Sequence, residues 1–261
     1  MTSPILSSRQ NPTIQALRKR RDDSKRIWIF LEGPRLLAEV LKTHLAIDHL
    51  VVVPALFESE RVKQAIARAK NVTQITPYVL HTLSDVEAPQ GVIALCRRPV
   101  WDWSSILSRQ PSPVVILDGL QDPGNAAAIA RTAEAAGAAG IVTTAGTASL
   151  FSSKALRGAM GSTLRLPSIE HQKPEQIIQS LKEAGYGMLG TSVTQESIGY
   201  TDVDWSKPWA IVFGQEGQGL SDGWRSALSH TIRIPMKPPV ESLNVAAAAS
   251  ILLYEANRQR G

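Results

Sequence analysis

From Val114 onward, short apolar runs alternate with stretches of helical spacing, and this alternation constrains the fold more than any other feature of the chain. Val114-Val115-Ile116-Leu117 reads as a buried strand, followed by an alanine-rich helix over 125–136 that Gly137 stops. The next strand is expected at 140–143, with helices around 154–160 and 174–184. Further strands are expected at 187–191, 209–213 and 231–234, and a long helix over about 243–258. Strands this uniformly apolar have no polar face to offer water, so the pattern predicts an α/β fold with a mostly parallel sheet covered on both faces. Ligands of such sheets gather beyond the carboxyl ends of the strands, and the loops there are where chemistry is to be sought.

The first half is organised differently. Residues 27–96 read as strand, helix, strand, helix, strand, strand, a small α/β unit preceded by a basic helix at about 12–22. Between 97 and 113, three prolines, several serines and Trp101 and Trp103 break any period, which predicts a linker with a short connecting helix that the tryptophans anchor. The expected division is 1–98, a linker over 99–112, and 113–261.

Charge is unevenly spread. The chain has a formal net charge of +5 and a pI near 9.5. The first 35 residues, with eight basic and three acidic side chains, account for the whole excess. Lysines and arginines concentrated in this way release counterions when they meet a phosphate backbone, although a solvated helix face would also carry them. Arg9, Arg18, Lys19, Arg20 and Arg35 are the candidates for contact with nucleic acid. No apolar run approaches the ~20 residues of a membrane span, and no secretory signal is visible. Cys96 is the only cysteine, so no disulfide framework or thiolate cluster is expected and a reducing cytoplasm fits. The five histidines are scattered, and no metal is expected.

Three loops follow strands. The first, Asp118-Gly-Leu-Gln-Asp-Pro-Gly-Asn125, contains strong turn chemistry at Asp122-Pro123-Gly124, and Asn125 suits the N-cap of the next helix. Arg131 lies six residues on, among alanines, where it either makes a structural ion pair or reaches into a cleft. The second sets Gly214, Gly217 and Gly219 around Glu216. It either admits a flat or anionic ligand close to the backbone or is a tight turn with a capping glutamate. The third runs from Ile234-Pro235-Met236 to Ser242-Leu243-Asn244, where Ser242 and Asn244 are both candidates to cap the last helix. The small residues at 245–249 allow another helix to approach. Gly185-Tyr-Gly187-Met-Leu-Gly190 matches a dinucleotide fingerprint in letters only, because it precedes a strand instead of joining a strand to a helix.

Together, in this order and spacing, the three loops closely resemble the three motifs of the SpoU (TrmH) family of RNA 2′-O-ribose methyltransferases. They are Leu117-Asp-Gly-Leu-Gln-Asp-Pro-Gly-Asn125 with Arg131-Thr-Ala-Glu-Ala-Ala-Gly137, Phe213-Gly-Gln-Glu216-Gly-Gln-Gly219-Leu-Ser, and Ile234-Pro-Met with Ser242-Leu-Asn-Val. The likeness spans residues 114–258. Less specifically, Glu32-Gly-Pro-Arg35-Leu-Leu-Ala-Glu-Val40 resembles the small substrate-binding domain often fused ahead of that catalytic domain. The resemblance implies a trefoil knot in the C-terminal domain, a homodimer formed through it, and S-adenosylmethionine as methyl donor. It places the cofactor against Thr191, Gly214, Gly219, Ile234, Pro235, Met236, Leu243 and Asn244. It implies catalysis by Arg131, supported by Asn125, Glu216, Ser242 and Asn244, with Arg131 also touching RNA. An arginine keeps its charge in proteins, so the expected role of Arg131 is to steer the 2′-oxygen and stabilise developing negative charge, not to act as a simple base. The appended basic domain leans toward ribosomal over transfer RNA. The alternatives are a base-methylating enzyme of the same knotted class and an inactive RNA-binding relative. One departure stands out: Lys237-Pro238-Pro239 follows Ile-Pro-Met where relatives commonly carry glycine.

Overall fold

Asn11 starts the first helix, α1 (Pro12–Arg21), by accepting a 2.9 Å hydrogen bond from the Thr13 N–H, while the fixed φ of Pro12 suits the first turn. The computed structural model describes residues 4–23, 27–191, 197–215 and 219–261. These cluster into two units, the first comprising residues up to Pro99 together with Phe151–Leu164, the second Val100–Leu150 with Arg165–Gly261.

In the first unit, α1 is followed by β1 (Trp28–Glu32), α2 (Gly33–Leu41), β2 (Ile47–Val52), α3 (Glu60–Arg68), β3 (Ala69–Gln74), α4 (Pro77–Leu83) and β4 (Val92–Arg97). The sheet order is β1-β4-β2-β3, with β4 antiparallel to β1 and β2, and β2 parallel to β3. Ile14 and Leu17 of α1 and Val79, Leu80 and Leu83 of α4 bury themselves against Phe30, Val51, Ile93 and Leu95 of the sheet. Each such side chain stabilises the fold by about 1.5–3 kcal/mol relative to exposure. The pattern anticipated two successive strands at the end of this unit, whereas α4 intervenes, capped by the Thr76 hydroxyl. Its seven residues are too few to display a helical period.

The second unit contains α5 (Trp103–Leu107), β5 (Val114–Leu117), α6 (Pro123–Ala135) and β6 (Gly140–Thr144). The chain then gives α7 (Ser153–Ala159) to the first unit, where it packs against β1. Back in the second unit come β7 (Ser168–Gln172), α8 (Pro174–Glu183), β8 (Gly187–Thr191), β9 (Ile198–Gly199), β10 (Trp209–Phe213), α9 (Asp222–Arg225), β11 (His230–Arg233) and α10 (Val245–Arg260). The sheet order is β7-β6-β5-β10-β8-β11-β9, and every pairing among the described residues is parallel. The expected parallel α/β architecture is therefore present. Its core packs Ile116, Val142, Met188 and Val212 of the strands against Ile177 and Leu181 of α8 and Trp224 of α9. The connecting helix falls at α5, and Trp103 packs against this core. Neither β7, β9 nor α9 was anticipated: β7 is a polar edge strand, and the other two are only two and four residues long. No described helix is long and apolar enough to cross a membrane.

Candidate active site

A parallel sheet brings its strand ends to one edge, so the loops after β5, β8, β10 and β11 leave the second unit on the same side. A carboxylate beyond the predicted set organises this edge. Asp118, directly after β5, is buried, and one oxygen accepts the Thr144 hydroxyl at 2.8 Å. Its other oxygen accepts the Ser221 hydroxyl at 2.8 Å and the Ser221 N–H at 3.2 Å. Its backbone N–H donates to the Phe213 carbonyl at 2.8 Å. One side chain thus ties together the loops after β5, β6 and β10. Its signal was available, since an acid straight after a fully apolar strand must find partners or stay hydrated.

The first loop turns into α6 through Asp122, not Asn125. The Asp122 carboxylate accepts the Asn125 N–H at 2.8 Å and so caps the helix, while Pro123 fills its first turn. Asp122 is the better-placed residue because a cap accepts from the N–H two or three positions on. Asn125 is thereby left to use its side chain elsewhere. Its Oδ1 accepts a 3.1 Å hydrogen bond from Nδ2 of Asn244. Asn244, in turn, caps α10, its Oδ1 accepting the Ala246 and Ala247 N–H groups at 2.9 and 3.4 Å. Of the two candidate caps, Ser242 is exposed and caps nothing, which corrects that half of the expectation. The starts of α6 and α10 are therefore joined, and the helices pack along their small residues with the Thr132 and Ser250 hydroxyls 3.3 Å apart.

Arg131 stands exposed on α6, and the structural ion pair weighed for it is not formed with any described residue. Exposed Ala128 and Ala135 flank it on the same helix, leaving room around the guanidinium.

In the second loop, Gln215 and Gly219 exchange two backbone hydrogen bonds of 3.1 and 3.0 Å. A Cβ on Gly214 would lie 2.3 Å from the Gly219 carbonyl oxygen, so only glycine allows this closure. Glu216 lies outside the described residues. Thr191, ending β8, donates its hydroxyl to the Val212 carbonyl at 3.3 Å. In the third loop Ile234 and Met236 are half-buried, and Pro235 and Leu243 are exposed. The backbone N–H and C=O groups of Met236 and Leu243 have no hydrogen-bond partner among the described residues. Open main-chain donors and acceptors beside partly exposed apolar side chains suit a flat heterocycle bearing polar edges.

The basic residues of the first unit divide. Arg20 forms a 2.5 Å ion pair with Asp48 and lies 4.6 Å over the Trp28 ring, which Arg97 also approaches at 5.4 Å. Arg18 is half-buried, its Nε without a partner among the described residues. Arg9, Lys19 and Arg35 are exposed. Cys96 is buried in β4, and burial pushes its thiol up to about 12, so it holds its proton and offers no thiolate nucleophile.

Known proteins agree with this architecture across its length. Residues 112–254 match the SpoU rRNA methylase family and 11–94 the MRM3-like substrate binding domain. The 23S rRNA (guanosine(2553)-2′-O)-methyltransferase RlmP of Bacillus subtilis is 29% identical over 91% of this chain and 92% of its own. The 23S rRNA (uridine(2479)-2′-O)-methyltransferase of Streptomyces viridochromogenes is 30% identical over 87% of this chain and 84% of its own. An AdoMet-bound rRNA methyltransferase from Sinorhizobium meliloti superposes with a TM-score of 0.84 at 29% identity, covering 98% of this chain and 97% of that one. The chain belongs to the SpoU rRNA methylase family, with an MRM3-like substrate-binding domain ahead of the methylase domain.

Proposed function

We propose that the chain transfers a methyl group from S-adenosylmethionine to a ribose 2′-hydroxyl of 23S ribosomal RNA. The observation that carries the catalytic assignment is the exposed Arg131, which pairs with no described residue, on the helix whose start is hydrogen-bonded, through Asn125 and Asn244, to the third loop. S-Adenosylmethionine, when bound, supplies a methyl group already activated by its sulfonium. The work left to the chain is to align the ribose oxygen with that methyl and to manage the hydroxyl proton and the charge that develops. Arg131 holds the 2′-oxygen and a neighbouring phosphate by charge-assisted hydrogen bonds. Asn125 and Asn244 fix the geometry between the arginine's helix and the cofactor loop, with Ser242 and Glu216 as further contributors. Gly214, Gly219, Thr191, Ile234, Pro235, Met236 and Leu243 would hold the adenosine part, offering backbone groups to its polar edge and apolar side chains to its faces.

The two named relatives modify different nucleotides, a guanosine and a uridine, of the same rRNA. Similarity at this level therefore supports the RNA class and leaves the nucleotide to the first unit, where Arg9, Lys19 and Arg35 are exposed for phosphate contact. The C-terminal knot, a homodimer and a cytoplasmic location belong to the same reading. The dimer is supported by apolar residues exposed on and just before α10, with Val240 53% and Tyr254 54% accessible.

The test is to titrate S-adenosylmethionine into the wild-type chain and Arg131→Ala by calorimetry, and to assay both for methyl transfer to 23S rRNA. Equal affinity with a loss of about 10²–10³ in rate is expected, the scale for removing one group that stabilises transition-state charge. A variant that no longer binds the cofactor would remove Arg131 from this role.

A further inference from the structure

α6 carries one cation and one anion, Arg131 and Glu134, three positions apart. On a helix that spacing puts side chains beside each other and ordinarily allows an ion pair. Here it does not form. The two carboxylate oxygens of Glu134 instead accept Nε and Nη2 of Arg165, at 2.6 and 2.9 Å. Arg165 comes from the chain just ahead of β7, 31 residues further on. Both side chains are about two-thirds shielded from solvent, 32% and 28% exposed.

We infer that Arg165 is a positioning residue for methyl transfer: by occupying Glu134 it keeps the Arg131 guanidinium free for RNA. The inference rests on the reading of Arg131 as the group that meets the 2′-oxygen and phosphate. Its physical basis is a competition between two cations for one carboxylate. The Arg165 fork is planar, bidentate and partly desolvated, which makes it the stronger partner. The alternative, an arginine one turn N-terminal to a glutamate, is exposed and runs against the orientation that helices favour. With Arg165 in place the competition is one-sided. Without it, Glu134 has Arg131 as the only cation on its own helix, and substrate must then break that pair to reach the guanidinium. The carboxylate, stripped of its bidentate partner, would also repel an incoming phosphate.

A double-mutant cycle on the full-length chain tests this, with methyl transfer to protein-free 23S rRNA and the affinity for S-adenosylmethionine as paired readouts. Arg165→Gln is expected to lower kcat/KM for RNA about threefold to tenfold, within reach of one new surface ion pair and one carboxylate stripped of its bidentate partner. Cofactor affinity should stay unchanged, and the deficit should shrink at high salt. Glu134→Gln alone should stay close to wild type, and Arg165→Gln with Glu134→Gln should return to that level. A merely structural bridge would also be repaired in the double variant, but its rate deficit would track a fall in melting temperature and in cofactor affinity; here the deficit is expected in kcat/KM for RNA with the cofactor affinity unchanged. If Arg165→Gln fails to fold, Arg165→Lys, which keeps the charge but loses the fork, should show a smaller deficit that Glu134→Gln again corrects. Full activity in Arg165→Gln, or a deficit that Glu134→Gln leaves uncorrected, overturns the inference. Arg131→Ala, run alongside, separates the two levels: an active Arg131→Ala defeats the catalytic reading itself, whereas an inactive one with no rescue in the cycle defeats only the role of Arg165.

Discussion

The strand-end loops of the second unit and the basic helix of the first spend their polar side chains in opposite ways. In the loops, apart from the α10 cap that Asn244 provides, structural work falls to residues beside those assigned to chemistry. Asp118 pins three loops, Asp122 caps α6 and Arg165 holds Glu134, while Arg131 stays exposed with no ion pair to any described residue. In α1 two of the four basic residues, Arg20 and Arg21, hold the fold themselves. Arg20 is tied to Asp48 and Trp28, and Arg21 donates to the Leu83 carbonyl at 3.0 Å, neutralising an exposed end of α4. The difference teaches that a count of basic residues overstates a binding surface. What matters is how many cations remain after the fold has used its share.

That contrast can be broken by substitution. The largest effect is expected from Gly214→Ala, because a methyl 2.3 Å from a backbone oxygen forces the second loop open. Overpacking of this kind costs about 1–3 kcal/mol, and calorimetry should show S-adenosylmethionine affinity falling at least about tenfold. An unchanged affinity would separate the loop from cofactor binding. Asp118→Asn should come next. It keeps the shape but offers an N–H where one oxygen accepted a donor, costing about 1–3 kcal/mol for the group left unsatisfied. Thermal unfolding should register the loss, and cofactor affinity should fall with it. For Asn244→Ala, loss of a helix cap predicts about 1 kcal/mol of destabilisation, with slower methyl transfer as the Asn125 hydrogen bond disappears. The smallest effects belong to the first unit. Lys19→Ala and Arg35→Ala should each flatten the salt dependence of RNA binding by about 0.7 in log–log slope if they touch phosphate. Arg20→Ala should instead lower the melting temperature more than it changes that slope, and the reverse result would erase the contrast drawn here.

How much of this was readable beforehand depended on length and apolarity. Val114–Leu117 and Trp209–Phe213 announce themselves because buried parallel strands are continuous apolar runs, and every residue of β5 is indeed buried. The polar edge strand β7 is invisible to that logic. Its register shifts near Thr144, and His171 within it adopts a positive φ of 60°. At the site, the three motifs located the loops and most of the residues now placed around them. The exchange of caps was not legible, because Asp122 and Asn125, or Ser242 and Asn244, are equally good capping types, and only backbone geometry chooses between them. Nor was the partner of Glu134, since Arg165 reaches it from 31 residues away.

The central claim is that the second unit methylates ribose. The most direct measurement incubates the full-length chain with isotope-labelled S-adenosylmethionine and protein-free 23S rRNA, digests the RNA to nucleosides and identifies the labelled product by mass spectrometry. The account predicts label in a single 2′-O-methylnucleoside, absent when Arg131→Ala replaces the wild type. Label on a base nitrogen or carbon, or a labelled product undiminished in Arg131→Ala, would contradict it.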